Sequence, residues 1–358
     1  MSTNQENQEN AIPAITLPAD QFGHTGAPTE WWWHIGTLHS EDGRTFGFEI
    51  NATGMQATKN APYSYAFTQI EITDVENQHN YQNVTVFNPL PADWAEYDTT
   101  EQWFVKLGED NSDGAVSMTA IDGNPLHMHV QATFTDNDPE TSTKTDCQID
   151  LNFFQQGSPL LVWGNGCNLV DPAGKSPITR NNYYYSLTHL QAAGTIRIGT
   201  EEIKVTGLTW MDHEYGAFPN GSTGKVIWLL QDIQLDNGLH LSNYTKFGVI
   251  PQENVPIPSN ATLLVDGESI FVNTVTTPLG PTFVSKKGVT YFLRFKIEFE
   301  DYKHLSFMVE SSYPDQVFRD PGADVYEGVA TAQFLFDLTE KKQIVISQGT
   351  SWIEQNLG

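Results

Sequence analysis

The stretch Thr29-Glu30-Trp31-Trp32-Trp33-His34-Ile35-Gly36-Thr37-Leu38, followed by Glu41-Asp42-Gly43 and then Thr45-Phe46-Gly47-Phe48-Glu49-Ile50-Asn51-Ala52, reads as two strands around a tight turn. Apolar and polar residues alternate on both flanks, and Asp-Gly supplies the positive φ that a hairpin turn demands. Successive side chains of a strand point to opposite sides. Glu30, Trp32 and His34 therefore share one face, and Trp31 and Trp33 the other.

The same texture continues in both directions. Strands are expected at 31–38, 45–52, 65–73, 128–134, 147–155 and 194–198, then at 225–235, 239–246, 290–299, 305–311, 326–337 and 343–352, while helical periodicity is nearly absent. Asp236-Asn237-Gly238 opens the second series as Glu41-Asp42-Gly43 opens the first, so the two halves begin alike. A chain of 358 residues exceeds the size of one ordinary core. The expected architecture is all-β: two antiparallel barrels side by side, over 21–217 and 218–358, after a flexible segment 1–20. The Gly-rich run 218–224 is the expected linker. Closing each sheet into a barrel removes its exposed edges.

Composition narrows the function. Forty-four acidic against 18 basic residues give a formal charge of -26, which repels phosphate backbones and argues against a nucleic-acid partner. No run of 18 apolar residues is present to span a bilayer as a helix. Residues 1–10 lack the basic start and apolar run of a signal peptide, and the compartment and oligomeric state stay open. Cys147 and Cys167 are too few for a disulfide framework, although one bridge between them is conceivable.

Chemistry concentrates in two further clusters, Asn182-Tyr183-Tyr184-Tyr185-Ser186 and Gly207-Leu208-Thr209-Trp210-Met211-Asp212-His213-Glu214-Tyr215-Gly216. As strands, they put Trp210, Asp212 and Glu214 on one face opposite Met211 and His213, and make Tyr183 and Tyr185 point together. Rows of Trp and Tyr commonly just fill a core. Carboxylates among rings are harder to dismiss, because they are rarely buried without a partner; the plain alternative is a structural ion pair for Asp212 and Glu214. His127 and His129 share a strand face but lack a third ligand. Asp212, His213 and Glu214 point to alternate faces, so no metal is expected.

These residues carry a resemblance. The chain resembles the carotenoid 1,2-hydratase / AttH-like family in its Glu30-Trp31-Trp32 opening, its Gly207 to Gly216 segment (Gly-x-x-Trp-x-Asp-His-Glu-x-Gly), Tyr184-Tyr185-Ser186 and Tyr326-Glu327-Gly328, over roughly Gln21 to Trp352. The resemblance implies two lipocalin-like barrels with a ligand site at or near their contact. It also implies cofactor-independent hydration or cyclisation of terpenoid-like or polyene substrates, by analogy with carotenoid and kievitone hydratases and related fungal pericyclases. The hydratase acid falls on Asp212 and its aromatic companion on Trp210. The family's His-x-Trp pair is replaced here by Tyr183 and Tyr185, a departure that weakens carotenoid hydration in particular.

Protonating an isolated alkene needs a carboxylic acid kept neutral by apolar walls, and the cation formed is stabilised over aromatic faces. The expected site thus has Asp212 as general acid, opening into a cavity lined by Trp210 and by Tyr183 or Tyr185. Glu30 and His34 would hold the acid or a water, and Trp32, His213 and Glu214 would contact substrate. The same apolar lining, without chemistry, would make a lipid or isoprenoid carrier.

Overall fold

The computed structural model describes residues 14–58, 61–138, 142–218, 227–319, 325–339 and 342–357. Twelve strands make the first sheet: β1 (Thr29–Ser40), β2 (Thr45–Met55), β3 (Tyr65–Asp74), β4 (His79–Phe87), β5 (Phe104–Leu107), β6 (Ala115–Ile121), β7 (Asn124–Asn137), β8 (Lys144–Gln155), β9 (Leu160–Leu161), β10 (Cys167–Leu169), β11 (Asn181–Ile198) and β12 (Glu201–Gly216). Its order is β4-β3-β2-β1-β12-β11-β8-β7-β6-β5, every pairing antiparallel, with β9 and β10 beside β11. Side chains tie the curled ends together. Asp136 on β7 accepts the Gln82 N–H of β4 at 3.2 Å, and Thr68 on β3 donates to the Gly114 carbonyl before β6 at 2.8 Å.

Eight strands close the second barrel: β13 (Trp228–Leu235), β14 (His240–Thr245), β15 (Ile257–Val265), β16 (Glu268–Val284), β17 (Thr290–Phe299), β18 (Leu305–Ser311), β19 (Val325–Thr339) and β20 (Lys342–Asn356). The architecture is therefore all-β with two barrel-like sheets. Strand alternation fails as a signal for β4, β15 and β16, where Asn, Gln, Ser and Thr occupy inward positions, and β5 is only four residues long; β6 does alternate, with Val116, Met118 and Ala120 in the core, and went unread. The linker expected at 218–224 lies, beyond Phe218, outside the described residues. The expectation of a flexible segment 1–20 needs correction from Ala14 onward: Ile15 is buried, the Ala14 N–H bonds the Asn165 carbonyl at 2.9 Å, and Ala19–Gln21 forms a 3-10 turn.

Each barrel has its own apolar core, and a third cluster fills the contact between them, built from Trp33, Ile35, Tyr184, Trp210, Leu264, Val329 and Trp352 among others. Gly47 permits this approach, since a Cβ there would sit 2.7 Å from Val329 Cβ. Polar pins flank the cluster. Gln234 donates to the Thr188 and Thr209 carbonyls at 2.8 and 2.9 Å, and Arg319 reaches Asp136 at 2.8 Å. Cys147 and Cys167 are both free thiols, and burial pushes Cys147 up to about 12. Among the described residues no helix is long and apolar enough to cross a membrane.

Candidate functional site

Strand β12 lies between β1 and β11, with Asp212 paired to Trp33 on one side and Ser186 on the other, and Glu214 paired to Trp31 and Tyr184. This register has a definite parity. Trp31, Trp33, Tyr184, Ser186, Trp210, Asp212 and Glu214 form the outer face toward the second barrel, whereas Glu30, Trp32, His34, Tyr183, Tyr185, Met211, His213 and Tyr215 form the inner face.

The outer face is rich in carboxyls whose pKa values burial raises. Asp212 is fully buried; Trp210 Nε1 donates to its Oδ1 at 2.6 Å and the Tyr184 hydroxyl to its Oδ2 at 2.5 Å. Burial raises its pKa to about 6, against the lowering effect of those bonds. Burial likewise lifts Glu214 well above the usual carboxylate range, with Asp212 adding repulsion. The second barrel answers with acids of its own. Glu354, raised by burial to about 7, accepts from Trp228 Nε1 at 2.6 Å; Glu327, also raised by burial, accepts from Trp352 Nε1 at 2.9 Å. Glu49 and Glu71 face each other across β2 and β3, and Glu327 and Glu354 across β19 and β20. Like charges directly opposite would repel, so these buried pairs favour the neutral form. Asp232 is also buried, and burial and the neighbouring Asp212 raise its pKa against the lowering effect of Ser242.

Beside this cluster a cavity of about 880 Å³ opens between the barrels. Trp31, Trp33, Phe67, Trp163, Tyr184, Phe218, Trp228 and Phe247 give it aromatic walls, and the acids Glu214, Glu327 and Glu354 also line it. Trp163 enters with its backbone in the left-handed region, φ 62°, a conformation uncommon for a bulky residue, and its N–H bonds Thr262 Oγ1 at 3.0 Å. Exposed Val86 and Phe247 stand at the rim.

Several expectations are corrected here. Asp212 and Trp210 stand at the contact but do not line the cavity; Glu214 does. Tyr183 and Tyr185 are turned away from Asp212, and Tyr184 takes their place, because β11 presents alternate residues to each side. Glu30, Trp32, His34 and His213 are also on the far side of the sheet. His34 is buried, with no partner for either ring nitrogen among the described residues; it stacks on Phe153 at 4.9 Å, and burial lowers it to about 3. Trp32 stacks on His213 at 4.5 Å, and Tyr183 on Tyr215 at 5.0 Å. Glu30 accepts from His24 and His213 at 2.7 and 3.1 Å. Despite desolvation, the imidazoles hold Glu30 at about 2, and Glu30 in turn raises His24 to about 9. Glu30 thus locks the segment before β1 onto the barrel.

A family model for AttH-like proteins matches residues 8–349. The chain belongs to the AttH-like family. Two solved structures agree in fold. An AttH protein of Nitrosomonas europaea is 18% identical with a TM-score of 0.72, over 97% of this chain and 98% of that one. Kievitone hydratase from Nectria haematococca is 16% identical with a TM-score of 0.69, over 98% and 94%. The sequence finds no match among curated proteins. Membership of the AttH-like family does not carry the carotenoid half of the resemblance. Sequence reasoning missed Trp163, Trp228 and Glu354 as cavity residues. Glu327 belongs to the Tyr326-Glu327-Gly328 motif, and a carboxylate next to a strand tyrosine was the signal available for it.

Proposed function

We propose that this AttH-like chain is a cofactor-independent lyase or isomerase that protonates an isolated double bond of an apolar terpenoid-like or polyene substrate held between the barrels, with Glu214 as proton donor. One observation carries the reading: a buried, proton-retaining carboxyl set in the cavity wall between Trp31 and Tyr184, its neighbours on the two adjoining strands. An acid that stays neutral in an apolar wall is what alkene protonation requires. The proton adds to one alkene carbon and leaves a cation on the other, which the faces of nearby rings stabilise by about 0.5–2 kcal/mol each.

Water then adds to the cation and returns a proton to Glu214, or a neighbouring double bond closes a ring before a proton is lost to the same carboxylate. Water access separates hydration from cyclisation. Asp212 acts from behind the wall, accepting a hydrogen bond from the Tyr184 hydroxyl and so fixing the ring that lines the cavity. The fold shared with a hydratase is consistent with this chemistry.

The test is turnover of a panel of prenylated phenols and terpenoid alkenes in D₂O. Deuterium should appear on carbon beside the new C–O or C–C bond. Glu214→Gln should lower turnover about 10²–10⁴-fold while ligand binding is kept; undiminished turnover in that variant overturns the assignment. A ligand bound by the wild type and released without deuterium or chemical change would instead make the cavity that of a carrier.

A further inference from the structure

On the inner face, three separate elements converge on one point. His24 Nδ1, from the connection before β1, lies 2.7 Å from Glu30 Oε1, and His213 Nε2 of β12 lies 3.1 Å from the same oxygen. One ligand atom from each residue falls within 4.8 Å of the others. We infer that His24, Glu30 and His213 form a binding site for a divalent first-row transition-metal ion of the Zn²⁺ type, which clamps the segment preceding β1 to the barrel. The inference is independent of the cavity and of the reaction proposed there.

The donor set is two imidazoles and a carboxylate, a combination that suits such ions. Bonds of about 2.0–2.2 Å in a tetrahedral ion place ligand atoms roughly 3.4 Å apart, so the two imidazole nitrogens need to move away from Glu30 Oε1 by roughly 0.7 Å or less. The rings are already fixed. His24 lies flat on Tyr215, with centroids 3.5 Å apart and planes 7° apart, and His213 stacks on Trp32. Each imidazole is also held at its far nitrogen: His24 Nε2 lies 3.4 Å from Asp20 Oδ1, and His213 Nδ1 lies 3.1 Å from the Tyr185 hydroxyl. Such outer partners orient metal-binding histidines and select the tautomer. The carboxylate is steadied by the His24 N–H, 3.0 Å from Oε2, and by the Tyr63 hydroxyl at 3.3 Å. A way in exists, since the side chains of His24 and Asp20 keep 19% and 27% exposure while Glu30 and His213 have none. Strand parity had set His213 aside, because Asp212 and Glu214 point the other way; its partners come from elsewhere in the chain.

The experiment titrates chelator-treated full-length protein with Co²⁺, read by its ligand-field absorption, and with Zn²⁺ by calorimetry. One equivalent of Co²⁺ should give bands of a low-coordinate site, and Zn²⁺ should displace it. His24→Ala, at a partly exposed position, should weaken binding at least about 10-fold with an unchanged circular dichroism spectrum, and Asp20→Asn by about 10–100-fold. His129→Ala, at the separate His129–Asp150 pair, should bind as the wild type does. Absence of stoichiometric binding, equal binding by His24→Ala, or loss of binding in His129→Ala overturns the site and leaves the cluster as a hydrogen-bonded latch.

Discussion

The two faces of β12 carry opposite kinds of polar chemistry on alternate residues. Inward, His213 and Tyr215 join Glu30, His24 and Tyr185 in a network where charges are paired and hydrogen bonds made. Outward, Asp212 and Glu214 join Asp232, Glu327 and Glu354, all acids, with no buried cation among the partners described for them. Satisfied charge holds a structure together; acid kept neutral beside a cavity is a resource for reaction.

The comparison breaks most visibly under single substitutions. In metal-free buffer, Glu30→Ala should lose about 3–5 kcal/mol in urea denaturation, because it strands His24 and His213 without their acceptor. Glu214→Gln should stay within about 1 kcal/mol of wild type, since a neutral amide replaces a neutral carboxyl. Equal losses at the two positions would erase the distinction between the faces.

The pH dependence sharpens it. Burial raises Asp212 to about 6, Glu354 to about 7 and Glu71 to about 8. Unfolded, these groups ionise near about 4. Above that value the unfolded chain holds fewer protons than the folded one, so stability falls as pH rises, by about 1.4 kcal/mol per unit for each proton retained, until the folded groups ionise. Buried His34, lowered to about 3, acts in the other sense: its contribution is complete above about 6.5 and is lost as pH falls toward 3. The denaturation midpoint should decline between about pH 5 and 8, and Glu71→Gln or Glu354→Gln should flatten the decline. A profile already flat in the wild type would mean that the contact acids ionise without cost.

Smaller effects separate the indoles. Trp352→Phe leaves Glu327 without its 2.9 Å donor and should cost about 1–3 kcal/mol. Trp32→Phe should cost less through its hydrogen bond, because the Gln21 carbonyl keeps a second donor, Trp103 Nε1, at 2.6 Å. Comparing the two by thermal unfolding tests whether outer-face acids depend on single donors. His129→Ala, which breaks a half-exposed pair, should shift stability by less than about 1 kcal/mol.

Much of this was legible from residues alone. Alternation in Glu30 to Leu38 and Thr209 to Gly216 told which side chains share a face, and the Asp-Gly and Asn-Gly turns told where hairpins return. The Tyr184 and Trp163 contributions were not legible. Tyr184 differs from its neighbours only in which side of β11 it occupies, and Trp163 sits in a short 3-10 turn whose backbone is set by its contact with the second barrel.

By itself, the sequence determined the all-β class, the hairpins, the acidic surface and the grouping of residues by face, because each depends on spacing along one strand or on summed composition. Only the tertiary structure decided that Trp33, not Trp32, stands opposite Asp212. Pairing between β1 and β12 joins residues some 180 positions apart in the chain, as Trp33 and Asp212 show, and a slip of one residue would exchange the two faces completely. The packing of whole sheets selects that register, and with it which carboxyls reach the cavity and which histidines meet Glu30.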